Sequence, residues 1–450
     1  MSAATESLAR LRADIGGRRS ADLPAQSLVD RLDALHREGL EAFDAQGIPT
    51  RRQERWKGTN LAPLEAMDFA RVGSASHGSP NSPEADADLV FVDGRLANPS
   101  ATRADLPEGI RVLSLLEAAT EDPSIVTTYL GTLADAKLDG LTGLQNALFE
   151  DVAIVHLAPN VVGNRPIRVR SLTTAASDGA ATATFPRLLV VARQGAQATV
   201  LFENVRTKDA PGVTSLVSEF IVKANARVEA IELQCEGSER IHLSQTYARV
   251  DADGSFDSHV IGLGDGLVRS ELSVHLRERG GDTRMHGFFL GRNEAHLDHF
   301  TTVDHEAPHC TSDEEYRGVL GDRSKGVFRG LVIIRPDAQK TNARQSNPNL
   351  LLSEHAAIDT KPQLEIYADD VKASHGSTIG QLDADALFFL RARGIAEAEA
   401  KLLLTRAFAE SIVDGIRDEA ARAVVSSHVD EALSTLQAAV GSERSSGGNA

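Results

Sequence analysis

The chain has 450 residues, 42% hydrophobic and 25% charged, which suits a folded protein with one large core or two modest ones. Its 64 acidic residues against 47 basic ones give a formal charge of -17, which argues against a nucleic-acid or acidic-membrane partner that needs a basic surface. The only two cysteines, Cys235 and Cys310, cannot build a disulfide framework or a four-thiolate cluster site, so any metal cluster would have to be shared with another chain.

The N-terminus, MSAATESLARLRADIGG, lacks the apolar stretch of a secretory leader. No apolar run approaches the ~20 residues that cross a bilayer, so the cytoplasm is the expected compartment. From about Leu23 to Gln46 the spacing of Leu28, Leu32, Leu35 and Phe43, with Gly47 and Pro49 beyond, predicts an amphipathic helix. Residues Arg71 to Ala85 read as a loop, Asp86 to Leu96 as a strand pair turning at Asp93-Gly94, and Leu113 to Leu148 as mostly helical. Residues 1–150 are therefore expected to form a mixed α/β, largely helical domain.

From about Val152 to Ile379 the pattern becomes short alternating segments: Arg187 to Ala192, Ala198 to Phe202, Ser218 to Val222, Arg227 to Leu233, Ser258 to Ile261 and Glu271 to Leu276. The turns Gln194-Gly195-Ala196, Ala224-Asn225-Ala226, Ala252-Asp253-Gly254 and Gly280-Gly281-Asp282 recur at intervals of about thirty residues, the signature of stacked coils. Only 4% of the residues are aromatic, which suits a solenoid whose coils bury ladders of Val, Ile and Leu; a β-sandwich is the other reading. The chain is thus expected to be mainly β, with a core over 151–380 and a helical domain over 381–440 built on Leu387, Leu390, Leu403, Phe408, Ile412 and Ile416. Gly394 breaks the helices, and a disordered tail is expected over 441–450.

Residues able to carry chemistry are few. His286, His296, His299, His305, His309 and Cys310 crowd one segment, and imidazole and thiolate are ligands for iron, zinc or copper. Their spacing matches no zinc pattern, and on a strand His296 and His299 would face apart, so structural roles are the simpler reading. Cys310 is either a small buried residue or an exposed ligand beside His309. His375, in Ala373-Ser374-His375-Gly376-Ser377, follows an expected strand Glu365 to Lys372 and could project into a cleft as an iron ligand. The neighbouring serines face apart from it on an extended chain and lack a G-x-S-x-G elbow, which weighs against serine catalysis. Gly262-Leu263-Gly264-Asp265-Gly266 is an incomplete nucleotide fingerprint, more simply a turn, and the chain has no phosphate-binding G-x-x-x-x-G-K-[ST]. A carbohydrate-active enzyme would need Asp313-Glu314-Glu315 or Asp369-Asp370 in a groove, though both read as solvated charge. A stand-alone metal enzyme would use the histidine cluster.

Several blocks resemble the SufB/SufD family in family order. They are Asp298-His299-Phe300-Thr301-Thr302-Val303-Asp304-His305, then Tyr316-Arg317-Gly318-Val319-Leu320, Gln339-Lys340-Thr341-Asn342-Ala343, Asn349-Leu350-Leu351-Leu352-Ser353 and Pro362-Gln363-Leu364-Glu365-Ile366-Tyr367-Ala368-Asp369-Asp370-Val371-Lys372. Gly47-Ile48-Pro49-Thr50 and Trp56-Lys57 resemble its N-terminal signature, with Gly58 where a tyrosine is usual. His375, where the sister branch offers a cysteine, places the chain with the SufD-type branch. The resemblance implies a right-handed parallel β-helix between helical terminal domains, and a non-catalytic scaffold for iron-sulfur cluster assembly. It also implies a SufB-type partner, a SufC-type ABC ATPase docked on the C-terminal helices, and a transient shared cluster near His375. Alone, with a sheet edge exposed, the chain is expected to form a homodimer.

Overall fold

The computed structural model describes residues 6–8, 23, 26–70, 86–97, 103, 105–174, 179–206 and 211–446. The expected loop from Arg71 to Ala85 lies outside them. Alternating inward apolar residues and recurrent turns wind the middle of the chain into a two-sheeted parallel β-solenoid. One sheet stacks Ala153–Leu157, Arg187–Ala192, Gly212–Val222, Arg240–Val250, Leu267–Leu276, His296–His305, Lys325–Ile334 and Ala357–Ile366. The other stacks Ile167–Thr173, Gln197–Arg206, Arg227–Cys235, Ser255–Gly262, Asp282–Gly291, Thr311–Leu320, Asn342–Leu351 and Lys372–Gly380. Each strand pairs with the equivalent strand of the next coil, an all-parallel arrangement that rules out the sandwich.

The recurrent turns form one corner of the solenoid. Asn160, Gly195, Asn225, Asp253, Gly280, His309 and Lys340 all adopt left-handed backbone, with φ between 54° and 76°. Glycine, asparagine and aspartate enter this region most readily, which is why the sequence marks these corners with them. The N–H of each donates to the next coil: Gly195 to the Ala224 carbonyl at 3.0 Å, Asn225 to Ala252 at 2.9 Å, Asp253 to Arg279 at 3.0 Å, His309 to Gln339 at 2.9 Å. His309 is thereby a corner residue.

The N-terminal domain closes one end. Leu89–Val92 adds in parallel to Ile167–Thr173 and turns back through Arg95–Leu96, while Ile110–Leu113 adds antiparallel to Ala153–Leu157. Helix Gln26–Gln46 crosses helix Gly140–Leu148 at glycines, where a Cβ on Gly39 would sit 2.5 Å from the Gly143 carbonyl. The Trp56 segment then clasps the outer face of the solenoid. Gly58 fits there because even a Cβ would lie 2.9 Å from Val327, so a larger residue has no room without rearrangement.

Helices Ala384–Arg391, Glu397–Val413 and Glu419–Ser446 follow the last strand, with Gly394 in left-handed backbone at the expected break. The last two lie along the side of the solenoid, not over its end. Ala409, Ile412, Ile416, Val425, Val429 and Leu433 pack on the outward Leu201, Ile231, Leu233, Ile261, Phe288 and Leu290. The final helix runs to Ser446, beyond Gly441, where the sequence suggests a disordered tail. Among the described residues no helix is long and apolar enough to cross a membrane.

Candidate functional site at the open end of the solenoid

Among the described residues nothing covers the C-terminal end of the solenoid. Ala357–Ile366 pairs only with Lys325–Ile334, and Lys372–Gly380 only with Asn342–Leu351, so both final strands present a free backbone edge among the described residues. An exposed parallel edge is a template for another strand, and folded proteins usually blunt or cover it. Ile366, Tyr367 and Ile379 are exposed at this end, 44%, 59% and 52% respectively.

His375 stands in the middle of this end. The expected strand Glu365 to Lys372 is instead a corner, because one strand ends at Ile366 and the next begins at Lys372. His375 therefore lies inside the final strand, not after it, and is exposed. Alternation on the preceding coils buries Ser312, Glu314 and Tyr316, then Ala343, Gln345 and Asn347. In register with those are Ala373, His375 and Ser377. His375 thus occupies an inward-facing position on a coil whose interior is open. Ser374 falls on the opposite set and cannot pair with His375, whereas Ser377, two residues along, shares the face of His375, contrary to the expectation that both serines face apart from it.

Beneath His375 the interior is polar. The register runs Met285, Glu314, Gln345, His375 across four strands. Gln345 Nε2 donates to Glu314 Oε2 at 2.7 Å and Thr301 Oγ1 donates to Glu314 Oε1, while Gln345 Oε1 has no partner. Burial pushes the Glu314 carboxyl up to about 7, against the pull of the Gln345 and Thr301 hydrogen bonds. Asn347 and Asn349 bond each other one position along, with Asn349 Nδ2 donating to Asn347 Oδ1 at 2.8 Å. The apolar interior of the middle coils therefore gives way to hydrogen-bonding groups at the open end.

The Asp313-Glu314-Glu315 run is not solvated charge throughout. Alternation sends Glu314 inside, while Asp313 pairs with Arg344 at 2.6 Å and Glu315 with Arg317 at 2.7 Å on the outer face. These carboxylates do not face one another across a groove. Asp370 is held by Lys340 at the neighbouring corner.

Cys310 is fully buried, its thiol donating to the Glu278 carbonyl at 3.4 Å. Burial pushes the thiol pKa up, which disfavours the thiolate that metal binding uses. It also precedes Thr311, whose register partner is Asn342 and then Lys372, so it lies four residues along and two strands across from His375. That separation is roughly 16 Å by strand geometry, too far for one iron. The contacts Cys310 makes here are packing contacts and the bond to the Glu278 carbonyl.

The crowded histidines do not converge. His296 faces outward to the Thr59 hydroxyl at 3.1 Å, and His299 faces inward between Phe289 and Tyr316, with ring centroids 4.8 and 5.5 Å away. His305 bonds Ser312 Oγ at 2.9 Å inside the core, and His286 sits edge-on to His259 beneath the C-terminal helices. His275, Asp304 and Glu306 do bring ligand atoms within 4.8 Å of one another. Arg335 already takes both Asp304 oxygens, at 2.9 and 2.7 Å, and Arg277 takes Glu306 at 3.2 Å, which makes this a surface charge network. The Gly262 to Gly266 run joins two strands, with Gly264 N donating to Gln234 Oε1 at 2.9 Å, and is a turn.

Comparison with known proteins agrees with this architecture. Residues 173–408 match the family model described as SUF system FeS cluster assembly, SufBD core domain, and residues 18–169 match the SufBD protein N-terminal region. An iron-sulfur cluster assembly SufBD family protein of Synechocystis is 32% identical over 82% of this chain and 84% of its own length. The iron-sulfur cluster assembly protein SufD of Escherichia coli is 30% identical over 88% of this chain and 91% of its own, and that of Bacillus subtilis 29% over 68% and 70%.

Proposed function

The chain belongs to the SufBD family of iron-sulfur cluster assembly proteins, and we propose that it is a non-catalytic SufD-type scaffold whose open solenoid end meets a SufB-type partner in the cytoplasm. The observation that carries this reading is the uncovered final coil, with two free strand edges, exposed Ile366 and Ile379, and His375 between them. A homologous solenoid would extend both sheets across that end by strand addition. Without the partner, two copies of this chain would join by the same edges.

His375 would offer a ring nitrogen lone pair as one exchangeable donor to an iron-sulfur cluster built as cargo at the interface, the remaining ligands coming from the partner. A mixed Cys/His set would release a cluster more readily than four thiolates do. Cys310 is left out of this role by its burial.

The C-terminal helices supply a second docking face. Helix Ala384–Arg391 buries none of its residues, and Phe388 and Phe389 are 73% and 55% exposed, with Leu403 nearby in sequence on the next helix. A SufC-type ATPase seated there would pull on helices that are packed along the solenoid, and its closure on ATP would shift the interface that holds the cluster. This chain supplies the lever and one ligand, and the ATPase the chemistry.

Co-expression with SufB- and SufC-type subunits tests the reading. Ile379→Asp is expected to abolish recovery of the SufB-type subunit and leave the isolated chain monomeric. Recovery of the complex at wild-type yield would move the interface elsewhere.

A further inference from the structure

The inference rests on the reading of His375 as an iron donor. We propose that Gln345 is its positioning residue: the Gln345 side-chain carbonyl accepts one imidazole N–H of His375, which turns the other ring nitrogen toward iron. Three observations converge on it.

Gln345 is the register partner of His375 on the coil directly beneath and lies on the same inward-facing set. Its amide is anchored by one end only. Thr301 and Gln345 Nε2 occupy the two Glu314 oxygens, so the amide nitrogen faces down the solenoid and Oε1 does not. Gln345 is 2% exposed, yet Oε1 has no donor. A buried carbonyl without a donor is costly, and it marks a missing partner.

The opposite sheet leaves space for this side chain. A Cβ on Gly330 would lie 2.1 Å from Gln345 Nε2, so the glycine admits an amide that any larger residue would displace. Histidines that bind metal commonly donate their second N–H to a carbonyl or carboxylate, which fixes tautomer and ring direction. Glu314, Gln345 and His375 form such a chain, one residue per coil.

The test uses the co-expressed complex. Gln345→Met keeps the size and apolar contacts of the side chain but removes the acceptor, and is expected to shorten cluster lifetime under chelator about tenfold or more. The exchange Glu314→Gln with Gln345→Glu puts a carboxylate acceptor at the outer position, anchored by the new amide, and is expected to restore the lifetime. Pulsed EPR of the reduced cluster should show imidazole nitrogen coupling in wild type and in the exchange variant, and a changed coupling in Gln345→Met. A purely packing role predicts that Met is tolerated. Wild-type lifetime and coupling in Gln345→Met, or no restoration by the exchange, would overturn the proposal. Wild-type lifetime in His375→Ala would instead remove the reading on which it rests. Should Gln345→Met yield no complex, the lifetime and coupling of the exchange variant decide the matter.

Discussion

The guanidinium of Arg269 lies over the indole of Trp56, 4.1 Å from carbon to ring centre, and so joins residues 213 positions apart. Arg269 is fully buried there between Asp298 and Glu271, and its Nη2 also donates to the Arg55 carbonyl at 2.9 Å. Thr59 donates to the same Asp298, and Arg55 reaches Glu271 at 2.7 Å. The N-terminal signature is thus a clasp on the outer face of the solenoid.

Removing one partner of this buried set leaves charge uncompensated. Arg269→Met is expected to destabilise the chain by about 3–5 kcal/mol. Trp56→Ala should cost a similar amount, about 3–5 kcal/mol, through a cavity and a lost cation–π contact. Denaturant unfolding checks both, and changes under about 1 kcal/mol would contradict the clasp.

Gly287 leaves room for the Tyr316 ring, since a Cβ there would lie 2.2 Å from the ring edge. Gly287→Ala should overpack the interior at a cost of about 1–3 kcal/mol, seen as a lower denaturation midpoint at unchanged m.

Stability should fall in alkali. Burial opposes the charge of His242, but the carboxylates of Glu232 and Glu236, 3.2 and 2.6 Å away, overcome it and hold the imidazole at about 9. The folded value is raised, so this contribution is complete below pH 6.5 and is lost as pH climbs through 9, about 3 kcal/mol in all. Unfolding curves between pH 6 and 10 provide the check, and a flat profile would refute the charged buried imidazole.

In acid the sign reverses. Burial holds His299 and His305 down at about 4, so their contribution is present above pH 6.5 and is lost as pH falls through 4, about 3 kcal/mol each. Glu314, raised by burial to about 7, opposes this by about the same amount once, because it takes up its proton more readily in the folded chain. Among these three groups a net loss of about 3 kcal/mol by pH 4 follows, and His156, also held down at about 4 by burial, adds to it in the same direction; equal stability at pH 7 and pH 4 would contradict this.

The exposed phenylalanines of Ala384–Arg391 give a separable test of the ATPase contact. Phe388→Asp with Phe389→Asp should reduce recovery of the SufC-type subunit about tenfold or more, leaving the SufB-type subunit and the unfolding curve unchanged. Full recovery would place the docking face elsewhere.

The corners of the solenoid were legible because their left-handed backbone selects Gly, Asn and Asp, and that selection recurs with each coil. His309 and Lys340 break the selection at the same corner, which hid the last two turns. The Arg269–Trp56 contact was not legible, since no local pattern links residues so far apart. Nor was the Glu314, Gln345, His375 column, because residues about thirty apart become neighbours only once the coil length is known to the residue. The three acidic residues at 313 to 315 carry no local mark of which one turns inward, and alternation decides it only after strand register is set.

The most direct measurement is iron and sulfide bound per complex when this chain, wild type or His375→Ala, is co-expressed with SufB- and SufC-type subunits. The complex is expected to assemble with His375→Ala at wild-type yield but to lose most of its cluster. Cluster content equal to wild type would contradict the ligand role and leave this chain a purely architectural subunit.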